Sequence, residues 1–476
     1  MSKNLTVVQI NDTHGYLKPH NEIFFSAEGI SFSEAGGYAR IKTIIEEYKQ
    51  KGPTIVLDNG DTIHGTYEVV QEKGWNMVPI LNEIGIQAMT FHWDIGYGPK
   101  NLKNISQALN YPILAINVYE EDTNKLVFDP YRIFEIGGLS IGVIGIACNI
   151  VDKTMPDSFS KGIYFTLGKE ELPTYIEKLQ QQKVDVIIVL SHLGFPQDHQ
   201  LMSEVEGVDI CLSGHTHNRM EKSIQVGETT IIQSGSQGSF VGILEMTIDS
   251  SVKVVRYKLL QIDDSIPEDP KIKKLVEAAV SPYTDYLDQM IGQTEVDLFR
   301  GLNSESSMDQ FLLEAIIHTT NADIAFSNGW RYGAPISKGS ITMRDLYQMV
   351  PMNPIISLVE LTGSEIYQMI EENLENTYAK DPFNQMGGYV KRASGIHTYL
   401  KVENPKGTRV MKLFIDDEEV IFDKIYQAAY ITKQGVPKKY GQNHRFTEIK
   451  TIQAMIQFLK EKGAYQSEFK NTFTNI

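Results

Sequence analysis

Histidine and aspartate recur at short spacings through the first half of the chain. They stand as Asp12 and His14 in NDTHG, Asp61 and His64 in DNGDTIHG, and His92 and Asp94 in FHWDIGYG. His192 follows in SHLG, then His215 and His217 in SGHTHN. Imidazole nitrogen combined with carboxylate oxygen suits Zn, Mn, Fe or Co, whereas a magnesium site is richer in oxygen. The pairs Asp12/His14 and His215/His217 are each two residues apart, so on extended backbone both side chains of a pair share one side. An aspartate has two oxygens and bridges two ions. Two ions about 4 Å apart orient and deprotonate a water and clamp the attacking and leaving oxygens of a displacement. Unrelated turns, a structural metal or a degenerate site are the alternatives, and five clusters in one half of the chain weigh against them.

The elements that must position these residues are short apolar runs. LTVVQI, PTIVLDNGD, QAMTF, YPILAINV, LSIGVIGIA, VDVIIVLSH, VDICLSGH and TTIIQSG read as strands, and the polar clusters follow directly after several of them. They alternate with helix-like stretches at 38–50, 74–84, 168–182 and 199–206, a pattern of sheet layers covered by helices. Ligand sites in such folds gather beyond the carboxyl ends of strands. The acidic, Pro-containing stretch IDDSIPEDPKI at 262–272 marks a change in composition, and a helix is expected over 270–290. Beyond it, 307–319 and 363–375 read as helices, and 396–423 alternates like antiparallel strands with a hairpin at Asp416 and Asp417. The expected division is a metal-binding domain at 1–265, a linker helix at 266–292 and a second domain at 293–476.

Bulk properties exclude several classes of partner. With 476 residues the chain exceeds the size of a single ordinary core, so two domains are the default. Its formal charge of -16 argues against a grip on a nucleic acid polymer or on anionic lipid. No apolar run is long enough to span a membrane. The opening MSKNLTVVQINDTHG lacks the features of a secretory signal, so a cytoplasmic location is expected. Cys148 and Cys211 both follow apolar runs and read as inert buried thiols rather than a disulfide. Oligomeric state is left open.

In order along the chain, NDTHG, DNGD, SHLG and GHTHN resemble the signature of the calcineurin-like metallophosphoesterases. The chain more specifically resembles the 5'-nucleotidase branch, which includes bacterial nucleotidases and the SoxB thiosulfohydrolases. The second half carries the likeness through 305–309 ESSMD, 327–333 SNGWRYG, 339–346 GSITMRDL, 350–354 VPMNP, 361–366 LTGSEI and 387–395 GGYVKRASG. The resemblance implies a four-layer α/β/β/α domain, two packed mixed sheets flanked by helices, followed by a 5'-nucleotidase-type C-terminal α/β domain. It also implies two divalent transition-metal ions, Mn or Zn. Asp12, His14, Asp61 and His217 would hold one ion, while Asp61 would bridge to a second held also by His192 and His215.

The remaining ligand in that branch is an asparagine, followed by a catalytic histidine. Here the matching residues are His92 and Trp93, a pair closer to the thiosulfohydrolase form. A one-residue shift would instead place Phe91 at the asparagine position and leave that site one ligand short. Imidazole can still ligate, but an indole only donates a hydrogen bond and transfers no proton near neutral pH. Asp61, His92 and Asp94 form the expected catalytic group, with Asp94 accepting a hydrogen bond from His92 or another ligand. Asn11 and Asn59 are expected to serve the turns or the substrate. His64 and His199 are candidate proton donors that read more readily as packing or surface residues.

The branch uses its C-terminal domain to recognise the part of the substrate that is not attacked. By that likeness Asn328, Arg331 and Tyr389 are substrate-binding, Arg331 as a bidentate anion contact and Tyr389 near a nucleobase. Trp330 and Tyr332 line the pocket or pack the loop. The segment 432–441, TKQGVPKKYG, replaces the aromatic clamp usual in the branch, although it contains Tyr440. The implied function is hydrolysis of a phosphate monoester, a nucleotide or a small organophosphate, through attack by a hydroxide held between the ions. The alternatives are hydrolysis of a sulfur ester, as in the thiosulfohydrolases, and a degenerate, metal-stabilised nucleotide-binding protein.

Overall fold

Alternation of apolar residues decides how the first sheets pack. The computed structural model describes residues 2–249, 251–466 and 470–476. Its two compact units are Met1–His20 with Glu34–Pro282, and Asn21–Ser33 with Tyr283–Ile476.

In the first unit, one sheet has the order Val252–Gln261, Phe240–Ile248, Lys3–Ile10, Thr54–Asp58, Ala88–Met89. Lys3–Ile10 pairs antiparallel with Phe240–Ile248 and parallel with Thr54–Asp58. A six-stranded sheet has the order Ile224–Val226, Thr229–Ile232, Ile210–Leu212, Val186–Ser191, Leu139–Ile146, Tyr131–Ile136. Its inner four strands are parallel and its two edge strands antiparallel. Leu5, Val7, Ile55 and Leu57 of the first sheet share one buried core with Ile141, Val143, Ile188 and Leu190 of the second. The spacing of two follows the pleat and turns these residues inward together.

Their neighbours Val8, Ile10 and Val56 are buried as well, so both faces of these strands are covered. Helix Tyr38–Lys51 buries Ile41, Ile44 and Ile45 and packs against Thr54–Asp58. On the second sheet, a Cβ at Gly142 would lie 2.6 Å from Leu179 of helix Leu172–Gln181, so glycine is what lets that helix lie directly on the sheet. The layers are those expected: two mixed sheets face to face, flanked by helices.

Two expected elements differ. The run YPILAINV forms no strand over 111–117, and only its last residue enters one, Val118–Glu120. It crosses as buried, bridged backbone, with the Leu114 amide donating to the Met89 carbonyl at 2.8 Å and Ile116 to Gly145 at 2.9 Å. Pro112 has no N–H for a ladder, and the Leu114 carbonyl would lie 2.2 Å from a Cβ at Gly145. The helix expected over 270–290 is Pro270–Val280; Ser281 keeps helical backbone, but Pro282 has no N–H to continue the ladder, and a 3-10 turn at Ser281–Tyr283 and a short helix Thr284–Leu287 follow.

The second unit contains residues from early in the chain. Within it, Phe32 lies 5.7 Å from Phe299, ring centre to ring centre, and the Asn21 amide donates to the Pro335 carbonyl at 3.3 Å. Its principal sheet has the order Tyr389–Ser394, Ile324–Gly329, Ile425–Tyr430, Ile355–Thr362, Gln442–Lys450. Helix Gly363–Tyr378 begins with a capping box in which Thr362 and Glu365 exchange side-chain and backbone bonds, the reciprocal pattern encoded by T-x-x-E. Asp416 and Asp417 have φ of 53° and 62° and join Val410–Ile415 to Glu418–Glu419 as a two-residue hairpin turn. Among the described residues, no helix is long and apolar enough to cross a membrane.

Candidate metal centre

Every sequence-expected ligand lies just past the carboxyl end of a strand in the first unit. Asp12 and His14 follow Lys3–Ile10, Asp61 follows Thr54–Asp58, and His92 follows Ala88–Met89. His192 follows Val186–Ser191 directly, and His215 and His217 follow Ile210–Leu212. The turns that carry them are strained. Asp12, His14, Asp61, His215 and His217 have φ of 50°, 49°, 55°, 71° and 57°. Side chains other than glycine rarely adopt this left-handed region, and such strain persists where surrounding structure enforces it, often at functional sites.

Buried amides supply part of that enforcement. Asn59 Nδ2 donates to the Ser191 and Leu212 carbonyls at 2.8 and 2.7 Å, tying the end of one sheet to two strand ends of the other. Gln9 Nε2 donates to Asn59 Oδ1 and to the Ser213 carbonyl, both at 2.8 Å. Asn11 donates to the Gly235 carbonyl at 2.7 Å and accepts from Ser234 N at 3.1 Å. Asn11 and Asn59 therefore hold the turns. Gln9 escaped notice in the sequence, although a glutamine inside the apolar run LTVVQI is itself a signal that a buried amide has work to do.

The turns bring the donors into two groups. One ligand atom each from Asp12, His14, Asp61 and His217 lie within 4.8 Å of one another, and so do atoms from Asp61, His92, His192 and His215. Asp61 belongs to both. Its Oδ2 is 3.1 Å from His92 Nδ1, 3.2 Å from His192 Nε2 and 3.9 Å from His14 Nε2. Asp12 Oδ1 is 3.5 Å from His192 Nε2 and 3.4 Å from His217 Nε2. His14 Nε2 and His217 Nε2 face each other at 3.1 Å.

The local charges express the same crowding. Burial alone would raise the Asp12 carboxyl, yet His192 and His217 outweigh it and hold it below its ordinary value. Burial opposes ionisation of Asp61 too, but His92, His192 and His14 hold it well below the ordinary value. Burial lowers His14 to about 4, whereas Asp61 and Asp12 overcome burial at His192 and raise it to about 9. Convergent imidazole nitrogens around two ionised carboxylates form a donor set that fits borderline divalent cations. Two clustered metal-ligand sites sharing one aspartate are present.

Asp94 accepts from His92 and from a second ligand, Asp61, but through their backbone amides. It receives no imidazole hydrogen bond; its fully buried carboxylate accepts four backbone amides. Oδ1 takes Thr62 N at 2.9 Å and Ile63 N at 2.7 Å, and Oδ2 takes Asp61 N at 2.9 Å and His92 N at 3.1 Å. The turn carrying Asp61 leaves these N–H groups pointing at one spot, and a carboxylate is the acceptor that satisfies them all. Trp93 donates its backbone N–H to Asp61 Oδ1 at 2.6 Å. Its ring lies 4.9 Å from His64 and 5.7 Å from Phe159. His64 is buried, and burial lowers it to about 3. His199 is exposed on helix Phe195–Glu204, and both cysteines are free and buried.

In the second unit, Arg331 and Tyr389 come together. The Arg331 guanidinium donates to the Gly388 carbonyl at 3.0 Å and lies 5.0 Å from the Tyr389 ring centre. Asn328 is joined to the segment 432–434: its amide donates to Gln434 Oε1 and its oxygen accepts from Thr432 Oγ1 at 3.0 Å. Lys391 is buried beside that segment and donates to the Gly435 carbonyl at 2.7 Å. Tyr440 Oη donates to Glu372 Oε2 at 2.7 Å. Trp330 and Tyr332 are both buried, 5.7 Å apart.

Residues 290–432 match the model of the 5'-nucleotidase C-terminal domain. A bovine 5'-nucleotidase is 25% identical over 89% of this chain and 81% of its own length. Along most of its length the chain is thus similar to 5'-nucleotidases, and its second half carries a 5'-nucleotidase C-terminal domain. Among solved structures, the chain is similar in fold to the sulfate thiohydrolase SoxB of Thermus thermophilus, with a TM-score of 0.91 at 22% identity, covering 99% of this chain and 96% of that one. A 5'-nucleotidase precursor from the same organism superposes with a TM-score of 0.86 at 22% identity, covering 100% and 99%.

Proposed function

We propose that the chain is a metal-dependent hydrolase of phosphate monoesters, with a nucleotide or a small organophosphate as substrate. The observation that carries this reading is the sharing of Asp61 between two donor clusters. Two divalent transition-metal ions, Mn or Zn, would there acidify a water and draw charge from the phosphate oxygens. Asp12, His14 and His217 would hold one ion with Asp61, and His92, His192 and His215 the other. Asp94 fixes the backbone of both Asp61 and His92. Asp61 Oδ1 is anchored by Trp93 N, leaving Oδ2 turned to the histidines. The relatives bearing the 5'-nucleotidase name support the substrate class.

Residues 293–476 serve in this reading as the recognition domain, with 266–292 as the linker. Arg331 and Tyr389 contact the substrate, and Asn328 acts by shaping the 432–434 segment it holds. The chain's charge of -16 leaves small anions rather than nucleic acid polymers as partners, because the ions reverse the sign locally.

Trp93 favours a second reading. With an indole where an acid would stand, cleavage at sulfur, whose thiolate leaving group is stable unprotonated, needs no proton donor. Phosphate release from AMP and from p-nitrophenyl phosphate, compared with sulfate release from an S-sulfonated cysteine peptide, separates the two. Turnover of the phosphate esters with sulfate release at background supports the first reading. Sulfate release with silent phosphate esters would replace it by the second.

A further inference from the structure

Asp198 lies in the first unit on helix Phe195–Glu204 and is fully buried. Its Oδ1 accepts from Ser191 Oγ at 2.5 Å and its Oδ2 from Ser213 Oγ at 2.6 Å. Ser191 ends the strand Val186–Ser191 and is followed at once by His192. Ser213 follows the neighbouring strand Ile210–Leu212 and precedes His215 by two residues. One carboxylate thus joins the two strand ends that deliver two of the three histidines of the second cluster.

The serine hydroxyls pass the restraint on. Ser191 Oγ accepts from Leu193 N at 3.2 Å, so the residues on both sides of His192 are tied to one point. Ser213 Oγ accepts from Gln233 Nε2 at 2.9 Å, and Gln233 also donates to the Gly214 carbonyl at 2.6 Å. Gln233 Oε1 accepts from Thr216 Oγ1 at 3.1 Å, which brackets His215 in the same way. In the first cluster the turns of Asp12 and His14 are fixed by other bonds, Asp12 N donating to the Gly60 carbonyl at 2.9 Å and His14 N to that of Asp61 at 2.7 Å, while His217 shares the Gln233 bracket, whose Oε1 also accepts from Asn218 N.

A carboxylate in so buried a place is costly unless its hydrogen bonds are complete, and here each oxygen has a short hydroxyl donor. The bonds lead toward ligand backbone. We infer that Asp198 is a positioning residue for the His192–His215 half of the metal centre, acting through Ser191 and Ser213 without touching an ion. The inference rests on reading the two clusters as metal sites. It adds an asymmetry: Asp198 grips both strand ends that deliver ligands to the second cluster, whereas it reaches the first cluster only at His217, one bond further on through Gln233.

Metal-free wild-type, Asp198→Ala, Asp198→Asn and Ser213→Ala proteins are titrated with Mn(II) by calorimetry, with EPR to follow coupling between ions. The wild type is expected to take two ions per chain and show a spin-coupled signal. Asp198→Ala is expected to weaken the second ion by ~10- to 100-fold, the usual cost of losing an outer partner, and to weaken the first several-fold less. Asp198→Asn, which keeps the volume and one acceptor, restores part of the second affinity. Ser213→Ala removes a single hydroxyl and gives the same selective loss, smaller, should Asp198→Ala fail to fold. Parallel weakening of both ions, or unchanged binding of both in Asp198→Ala and Ser213→Ala, would overturn the inference. A wild type that takes up no pair of ions would instead overturn the metal reading beneath it.

Discussion

Asp61 Oδ2 lies 3.1 Å from His92 Nδ1, and the same oxygen is within 4 Å of histidines from both donor clusters. A carboxylate shared in this way does two things at once: it neutralises charge and sets the separation of the two halves. Asp61→Asn keeps the shape and removes the charge. Metal content measured on the purified variant is expected to fall from two ions per chain to one or fewer, with kcat/KM lower by at least ~100-fold. Two retained ions with unaltered kcat/KM would show that Asp61 is not shared in solution.

Trp93 supplies a backbone amide to Asp61 and an aromatic wall beside His64, and neither group donates a proton at neutral pH. The leaving oxygen must therefore depart with little help from a side-chain acid. Rates for a series of aryl and alkyl phosphates, with chemistry limiting, are expected to rise steeply as the leaving-group pKa falls. Trp93→His is expected to flatten that slope. A wild-type slope already flat would contradict the account.

The metal-ligand pattern was legible because imidazoles and carboxylates placed directly after apolar runs have few structural uses. NDTHG and SGHTHN announced strand ends, one in each sheet, and parallel pairing within the sheets sets the end of Lys3–Ile10 beside that of Thr54–Asp58 and the end of Ile210–Leu212 beside that of Val186–Ser191. The role of Asp94 was not legible, since its partners are backbone amides whose directions depend on the turn at 61–63. Residues 21–33 gave no sign of belonging to the second unit, because contacts such as Phe32 with Phe299 are set by tertiary pairing and not by local pattern. Tyr111–Val118 was apolar enough for a strand, and only Pro112 hinted otherwise. The stop after Val280 was, in contrast, written in Pro282.

Metal uptake should depend on pH with a defined sign. In the metal-free protein burial opposes the charged form of His192, yet Asp61 and Asp12 raise it to about 9. Its protonated form stabilises the metal-free fold fully below about 6.5, and that contribution is lost as pH rises through about 9. An incoming ion must displace the proton. The second Mn(II) is therefore expected to bind ~10-fold more tightly per pH unit from 7 toward 9 and then level off. His92, raised above its ordinary value by Cys148 and Asp61 despite burial, acts in the same direction. Affinity independent of pH over this range in calorimetric titrations would contradict the assignment.

Lys391 offers a second test of sign, in the other unit. Burial lowers its amine from 10.5 to about 7, with Glu372 opposing the shift. Between about 7 and 10.5 the unfolded chain binds the proton that the folded chain has released, so this group makes stability rise with pH. Lys391→Met removes that term. Urea unfolding at pH 7 and pH 9 should show wild type gaining on the variant by about 1 to 2 kcal/mol, and parallel behaviour of the two proteins would refute the shift.

The most direct test of the central claim is kcat/KM for phosphate release from AMP and p-nitrophenyl phosphate, measured on metal-stripped protein and again after restoring Mn(II). The account predicts background rates without metal and at least one ester turned over near ~10⁴ M⁻¹s⁻¹ or above with two ions bound. Two ions bound with no phosphate released from either ester, or equal release with and without metal, would contradict it.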